Sequence, residues 1–293
     1  GIRTVVAVVP DKSRIEAAQL CGLPVSQPMR ASMDAFQQAL AERGIAHIDL
    51  RPTLTALPQA YYRTDVHMAP AGAEAAAGQM AQAALPGLGG KGPQAFDDVR
   101  GNAPEPRMGD LIVLAGLEKA PEGWRPPLES FVPEQIRPVQ AGGLLDEGPA
   151  AEVLLLGDSN GLRSEFAGRL GRALGREVWN QSQDGGFFAG AMLAALGRQD
   201  QWPTSLKVVV WQFSELSLSL PLSAGRAALT RHAVQFLSVP VPLPADRAGR
   251  LLRPGCRAAA LGRALAVRRV VRLLRLVESA VRGVAGRVYR LQL

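Results

Sequence analysis

Side chains of the three types that cooperate in nucleophilic catalysis stand in two short motifs of this sequence. Ser159 ends the run Gly157-Asp158-Ser159, and Asp65 lies two positions before His67. An imidazole can take the proton of a serine hydroxyl, and a carboxylate can hold that imidazole in the tautomer that this requires. Together the three residues predict acyl transfer through an acyl-serine.

Each motif alone also has a purely structural interpretation. Asp158, Ser159 and Asn160 are all residues that cap helices well, and most Asp-x-His pairs are a capping carboxylate beside a surface imidazole. The catalytic interpretation gains weight because both motifs occur in one chain, and a nucleophilic serine needs both partners.

The residues around Ser159 predict where its hydroxyl lies. The four apolar residues 153–156 are typical of a strand covered on both faces. Apolar residues at 162, 166, 170 and 174 have the spacing of one helix face, so we expect a helix over 162–174. Ser159 would then lie in a strand-to-helix turn at the carboxyl edge of a sheet, where backbone N–H groups can stabilise an anion.

Strands and helices alternate along the rest of the chain up to about residue 220, which is typical of a parallel sheet. We predict one three-layer α/β domain with a largely parallel sheet. Its strands lie near 4–9, 45–50, 151–156 and 207–213, with a short strand at 177–180 and helices near 32–43, 73–85 and 189–196. Residues 86–109 are expected to form an irregular connection, and 121–138 an ordered loop.

The first predicted strand ends at the polar run Asp11-Lys12-Ser13-Arg14. That run would share the sheet edge with Ser159, where ligands bind in open α/β folds, so Lys12 and Arg14 are candidates for substrate contact. For either residue alone, a solvated turn is the alternative interpretation.

The net charge of +7 over 293 residues is unevenly distributed. Residues 247–293 hold twelve arginines and one acidic residue, which leaves −4 for residues 1–246. Nucleic acid is therefore not an expected partner of the domain, because the basic excess of the chain is confined to the tail.

Cysteine and histidine usage indicates no metal site. Cys21 and Cys256 are far apart, and the chain has three histidines without ligand spacing, so we expect neither a metal nor a cofactor. No run reaches the ~18 apolar residues of a membrane span. The chain opens in mid-strand without an initiator Met, so we interpret it as a fragment from which an export signal is absent.

The two catalytic motifs together resemble the SGNH-hydrolase-like domain of the alginate O-acetyltransferase family (AlgX/AlgJ-like). In that family an Asp-x-His pair precedes the Gly-Asp-Ser block, the reverse of ordinary SGNH esterases, and this chain has the same order. The resemblance extends to residues 8–14, to Gly109-Asp110-Leu111 and to residues 208–213, so it covers roughly residues 1–220.

The chain departs from the family pattern at two places. The family usually reads Asp-Thr-His-Trp, whereas this chain has Val66 and Met68 around His67. Loss of the Trp is expected to alter the substrate groove or the packing around His67. The last strand of the family usually runs into Glu-Arg, whereas here Glu215 is followed by Leu216.

The resemblance implies an O-acetyltransferase that adds acetyl groups to an exported bacterial polysaccharide through an acetyl-serine intermediate. Ser159 would be the nucleophile, His67 the general base and Asp65 its orienting carboxylate. The backbone N–H of Ser159 is the first candidate for oxyanion stabilisation, and Asn180, Gly185 and Gly186 are weaker candidates. Two alternatives stay open: a carbohydrate acetylesterase of the SGNH type, and a non-catalytic polysaccharide-binding scaffold.

The resemblance also implies a location and partners. The protein would be periplasmic, with a polysaccharide acceptor and a membrane-bound O-acyltransferase as acetyl donor. We expect a catalytic domain over residues 1–223 and an Arg-rich tail over 224–293, either an amphipathic helix or disordered. A basic amphipathic tail could give peripheral contact with the inner membrane.

Overall fold

The computed structural model of this chain describes residues 1–139 and 150–219. Its strands are β1 (Arg3–Val9), β2 (His47–Asp49), β3 (Phe96–Arg100), β4 (Glu105–Arg107), β5 (Glu129–Phe131), β6 (Glu134–Pro138), β7 (Val153–Leu156), β8 (Val178–Asn180) and β9 (Val208–Ser214). Its α-helices are α1 (Lys12–Ile15), α2 (Gln27–Glu42), α3 (Arg51–Thr55), α4 (Pro70–Leu88), α5 (Asp110–Leu114), α6 (Phe166–Leu174) and α7 (Gly190–Leu196). Short 3-10 helices occupy Ala17–Leu20, Glu122–Trp124, Ser159–Gly161, Gln199–Gln201 and Glu215–Leu218.

Five strands form one sheet in the order β2-β1-β9-β7-β8, and every neighbouring pair is parallel. The predicted fold class is confirmed, because the strands expected near 4–9, 45–50, 151–156 and 207–213 all lie in this sheet. Parallel strands end at a common edge, so the segments that follow β1, β7 and β9 meet there.

The sheet is covered on both faces, and alternate residues of its strands face two separate cores. Leu154, Leu156 and Trp211 pack with α2 and α7 on one face. Val153, Leu155 and Val210 pack with α4 and α6 on the other. Burial of both faces explains why these strands are continuous apolar runs in the sequence.

The helix predicted over 162–174 begins later than expected, at Phe166. Ser164 and Glu165 adopt left-handed backbone conformations, with φ of +52° and +51°, which a right-handed helix cannot contain. Leu162 is correspondingly 41% exposed instead of lying on the buried helix face. Ser159 therefore opens a 3-10 turn, Ser159–Gly161, that is separate from α6.

The stretches predicted as irregular connection and ordered loop contain two antiparallel ribbons, β3 with β6 and β4 with β5. These strands gave no recognisable pattern because they are short and mostly exposed, with little apolar alternation. The β4–β5 ribbon carries Arg107 and Glu129 to the Asp65 loop.

The predicted tail over residues 224–293 lies outside the described residues, as do the domain boundary at 223 and Cys256. Cys21 is exposed. Within residues 1–139 and 150–219, no helix is both long and apolar enough to cross a membrane.

Candidate active site

Asp65 and His67 lie in a tight loop between α3 and α4. Tyr61 and Met68 form an isolated antiparallel bridge at its base, and the Tyr62 N–H donates to the carbonyl of His67 at 3.2 Å. The loop thus closes on itself before α4 begins. Both functional side chains are buried, with Asp65 fully inaccessible and His67 3% exposed.

The structure brings Asp65, His67 and Ser159 into one hydrogen-bonded chain. The Nε2 atom of His67 lies 2.7 Å from the Ser159 hydroxyl oxygen, and its Nδ1 atom lies 2.6 Å from Asp65 Oδ1. With the proton on Nδ1, the imidazole donates to the carboxylate and presents a lone pair to the hydroxyl, as a general base must. Two motifs separated by 92 positions therefore meet in the order serine hydroxyl, imidazole, carboxylate.

The carboxylate of Asp65 accepts hydrogen bonds on both oxygens. Oδ1 also receives the backbone N–H of His67 at 2.9 Å, and Oδ2 receives the backbone N–H of Asp110 at 3.2 Å and the guanidinium of Arg107. Burial alone would raise the pKa of Asp65, but the hydrogen bonds from His67 and Arg107 outweigh it and hold the pKa well below its usual value. Asp65 is therefore ionised at neutral pH.

The 3-10 turn that contains Ser159 is anchored to the sheet by Asp158. Its Oδ1 accepts the backbone N–H of Asn160 at 3.0 Å, and its Oδ2 accepts the backbone N–H of Ser214 at 2.6 Å. Gly157 lets the chain pass against β9, because a Cβ there would collide with the Gln212 side chain. Asp158 therefore caps the Ser159–Gly161 turn, in agreement with the structural interpretation. The Ser159 hydroxyl, by contrast, points to the imidazole of His67.

The candidate oxyanion donors differ in whether their N–H groups are free. In the described part of the chain, no hydrogen bond occupies the backbone N–H of Ser159. The Asn180 amide instead donates to the carbonyl of Gly161 at 2.8 Å, and the Gly186 N–H donates within its own turn. Gly185 has a φ of +65°, and its N–H likewise has no acceptor among the described residues. Ser159 N–H remains the first candidate.

Lys12 and Arg14 have protein partners. The Lys12 ammonium donates to the carbonyls of Tyr62 at 2.6 Å and Arg63 at 2.5 Å, under the Asp65 loop. Arg14 forms an ion pair with Glu215, which is fully buried. Both cations thus hold the sheet edge together, and their contact with substrate stays a prediction.

Among the described residues, Asp65, His67 and Asp110 are close enough to suggest a metal site, with ligand atoms within 4.8 Å of one another. However, Asp65 Oδ1 and His67 Nδ1 are only 2.6 Å apart. Two ligand atoms bound to one zinc at about 2.1 Å would be separated by more than 3 Å. The Asp65–His67 contact in this structure therefore has the geometry of a hydrogen bond with a shared proton.

A cavity of about 610 Å³ borders the Asp65 loop. Val66 and Leu111 contribute to its wall, but Ser159 and His67 do not. The cavity therefore lies beside the hydrogen-bonded chain, and Ser159 does not line it.

Comparison with known proteins assigns the chain and its fold to a family. A family model described as "SGNH hydrolase-like domain, acetyltransferase AlgX" matches residues 1–215, most of the chain. The chain belongs to the AlgX acetyltransferase family. Residues 1–215 include both motifs on which the resemblance rests, in the same order.

Individual members of the AlgX family and their solved structures agree with this assignment. "Probable alginate O-acetylase AlgJ" of Pseudomonas fluorescens is 31% identical over 237 residues, covering 78% of this chain and 60% of that protein. The O-acetyltransferase domain of Pseudomonas putida AlgJ superposes with a TM-score of 0.64 at 26% identity, covering 80% of this chain and 84% of that one. Pseudomonas aeruginosa AlgX shares the fold, with a TM-score of 0.58 at 22% identity and coverage of 73% and 52%. The chain spans about 60% of the length of the curated AlgJ relatives it matches.

The departures from the AlgX family pattern differ in burial, since Met68 is buried whereas Val66 and Leu216 are exposed. Met68, in place of the usual Trp, is buried in the core between the sheet and helices α4 and α6. Its backbone carbonyl accepts a hydrogen bond from the Ser164 hydroxyl at 2.6 Å. This change therefore affects packing behind His67. Glu215, despite the Leu216 that follows it, still receives Arg14 and the backbone N–H of Asp11 at 2.8 Å.

Arg107 is the main site residue that the sequence analysis missed in this AlgX family member. It stands two positions before Gly109-Asp110-Leu111, a run that carries part of the resemblance. Gly109 allows that run to touch the Asp65 loop, since a Cβ there would collide with Thr64. A basic residue two positions before this run was the sequence feature that could have marked Arg107 as a site residue.

Proposed function

We propose that this domain is an O-acetyltransferase that works through an acetyl-serine on Ser159. The observation that carries the proposal is the continuous hydrogen-bonded chain from the Ser159 hydroxyl through His67 to Asp65, with links of 2.7 and 2.6 Å. Membership of the AlgX acetyltransferase family supports the same chemistry.

In the first step the Ser159 oxygen attacks the carbonyl carbon of an acetyl donor. His67 Nε2 takes the hydroxyl proton while the new C–O bond forms, and the ionised Asp65 stabilises the resulting imidazolium. The Ser159 N–H faces no other acceptor in the described residues and donates to the oxyanion. Collapse of the tetrahedral intermediate breaks the bond to the donor oxygen, which receives the proton from His67.

In the second step an acceptor hydroxyl attacks the acetyl-serine. His67 Nε2 removes the acceptor proton, a new ester forms on the acceptor, and the proton passes to the departing Ser159 oxygen. With a sugar hydroxyl as acceptor the outcome is transfer, and with water it is hydrolysis. The same three residues serve both outcomes, so the acceptor decides between transferase and acetylesterase.

We infer the acceptor and the cellular setting from the relatives. AlgJ relatives are named for alginate O-acetylation, which supports an anionic polysaccharide such as alginate as acceptor. Such a polymer is modified during export, so we place the protein in the periplasm, with a membrane-bound O-acyltransferase supplying the acetyl group. This donor is required because acetyl-CoA is confined to the cytoplasm.

The experiment that tests transfer uses a chromogenic acetyl ester with and without an oligouronate acceptor. We expect a +42 Da adduct on the peptide that contains Ser159 after rapid acid quenching, and acetylated oligosaccharide when the acceptor is present. A wild-type protein that forms the adduct but only releases acetate, even at saturating acceptor, would be an esterase. A protein that forms no adduct and turns over no ester would be a scaffold.

The Arg-rich tail supports a second proposal, peripheral contact with an anionic membrane surface. Each arginine near such a surface contributes about 1 kcal/mol, so a third of the twelve engaged would suffice. We expect the full chain to co-sediment with phosphatidylglycerol vesicles in low salt, and a chain ending at Ser223 to stay in solution. Binding that survives either the truncation or 0.5 M salt would reject the tail as an electrostatic anchor.

A further inference from the structure

The β4–β5 ribbon lies outside the main sheet and binds the Asp65 loop through hydrogen bonds. Arg107 on β4 and Glu129 on β5 face each other in its register. Glu129 accepts the backbone N–H groups of Arg63 at 2.6 Å and Thr64 at 2.7 Å, while Arg107 binds the carboxylate of Asp65. Two neighbouring positions of the ribbon therefore hold three consecutive residues of the loop.

The guanidinium of Arg107 is held in place from both sides. Its Cζ atom lies 4.1 Å from the centroid of the Tyr62 ring, a distance typical of a cation–π contact. Its Nη2 atom donates to Asp65 Oδ2, and its side chain is only 18% exposed. An arginine stacked and paired in this way is a fixed positive charge beside the carboxylate.

Asp65 needs such a charge. Its carboxylate is fully buried, and burial disfavours the ionised form that the general base requires. The two backbone N–H groups that it accepts, from His67 and Asp110, bring dipoles but no net charge. Among the described residues, Arg107 is the cation that contacts the carboxylate oxygens of Asp65.

We propose that Arg107 is a positioning residue of the acyl-transfer site, which keeps Asp65 ionised and correctly oriented toward His67 without touching the reacting atoms. The hydrogen-bonded chain then has four members, Arg107, Asp65, His67 and Ser159. This role rests on the acyl-transfer activity proposed above.

The charged groups around the Asp65–His67 pair set the sign of the expected pH effect. Besides Arg107, they are the Asp110 carboxylate 3.4 Å from His67 Nδ1, the Lys12 ammonium 3.3 Å from the Asp65 carbonyl, Glu129 on the ribbon and Arg63 in the loop. Removing the positive charge of Arg107 makes protonation of the pair easier. The acid limb of the kcat/KM profile should then move to higher pH.

The test compares Arg107→Met, which removes the charge but keeps the length, with Arg107→Lys, which keeps the charge. We expect Arg107→Met to lower kcat/KM for a chromogenic acetyl ester about 10-fold to 100-fold at neutral pH. Its acid limb should move to higher pH, because a positive charge that disfavours protonation of the Asp65–His67 pair is lost. Arg107→Lys should restore the wild-type limb even if part of the rate loss remains.

Arg100→Met is the matched control, because Arg100 is a largely exposed arginine of the neighbouring ribbon and pairs with Asp98 at 3.3 Å. It should leave both rate and profile unchanged. Should Arg107→Met fail to fold by circular dichroism, Arg107→Gln gives the same charge removal with a polar side chain. An acid limb that coincides with wild type in the neutral variant overturns the role of Arg107, whereas an inactive wild type overturns the proposed function instead.

Discussion

Replacing Ser159 with alanine should reduce acetyl-ester turnover by about four to six orders of magnitude, to the level of the uncatalysed reaction plus binding effects. The reason is that the variant has no atom that can form the acyl-enzyme, and His67 then has no proton to accept. Within residues 1–139 and 150–219, the Ser159 hydroxyl makes one side-chain hydrogen bond, to His67, so we expect the fold not to depend on it. Steady-state release of nitrophenol and the mass of the quenched protein measure the two consequences.

Ser130→Ala supplies the control for this variant. Ser130 is an exposed serine in the middle of β5 and lies outside the hydrogen-bonded chain. It should turn over the ester at the wild-type rate and show the +42 Da adduct, while Ser159→Ala shows neither at an unchanged melting temperature. Equal turnover by wild type and Ser159→Ala would end the acyl-serine mechanism.

The sheet and the pairing of the two motifs could be predicted because each follows from strong local constraints. Strands buried on both faces must be apolar throughout, so β7 and β9 are recognisable as continuous runs. A serine or a carboxylate at the end of such an element can be only a cap, but a nucleophilic serine needs both partners, so the two motifs together favour the catalytic interpretation. Parallel strands end at one edge of the sheet, so the meeting of the segments that follow them could be predicted without knowing any side-chain contact.

The start of α6 could not be predicted from periodicity. Residues 162, 166, 170 and 174 have helical spacing, but Leu162 belongs to the turn that follows the nucleophile. The two left-handed residues between them, Ser164 and Glu165, are neither glycine nor asparagine. Their conformation is stabilised by tertiary hydrogen bonds, from the Ser164 hydroxyl to Met68 and from the Ile136 N–H to Glu165, which no local pattern reveals.

The outer parts of the site were equally hidden from sequence reasoning. β4 is three residues long, contains Pro106 and is largely exposed, so nothing marks it as a strand. Arg107 acts on Asp65 across 42 positions, through a ribbon whose other strand is 22 residues further along. Conversely, Asn180 and Gly186 were predicted from residue type alone, and the structure uses their polar groups to brace the loops beside the nucleophile.

Replacing Asp65 with asparagine should cost about three to four orders of magnitude in kcat/KM while leaving Ser159 and His67 in place. A neutral amide in this position can present its NH₂ group to Nδ1, which favours the imidazole tautomer with the proton on Nε2. That tautomer donates to the Ser159 hydroxyl and cannot accept its proton. The substitution also leaves the half-buried Arg107 guanidinium facing a neutral amide, so the negative charge in direct contact with the imidazolium is lost.

Asp110→Asn separates this effect from a general loss of negative charge near the imidazole. The Asp110 carboxylate lies 3.4 Å from His67 Nδ1 but is half exposed, and it is the backbone N–H of this residue that binds Asp65. Water screens an exposed carboxylate, so Asp110→Asn should change kcat/KM less than about fivefold. The two variants are compared by ester turnover between pH 5 and 9, with NMR of the imidazole nitrogens to report the tautomer. If Asp65→Asn keeps the proton on Nδ1, or loses no more activity than Asp110→Asn, then Asp65 does not orient the base and the hydrogen-bonded chain ends at His67.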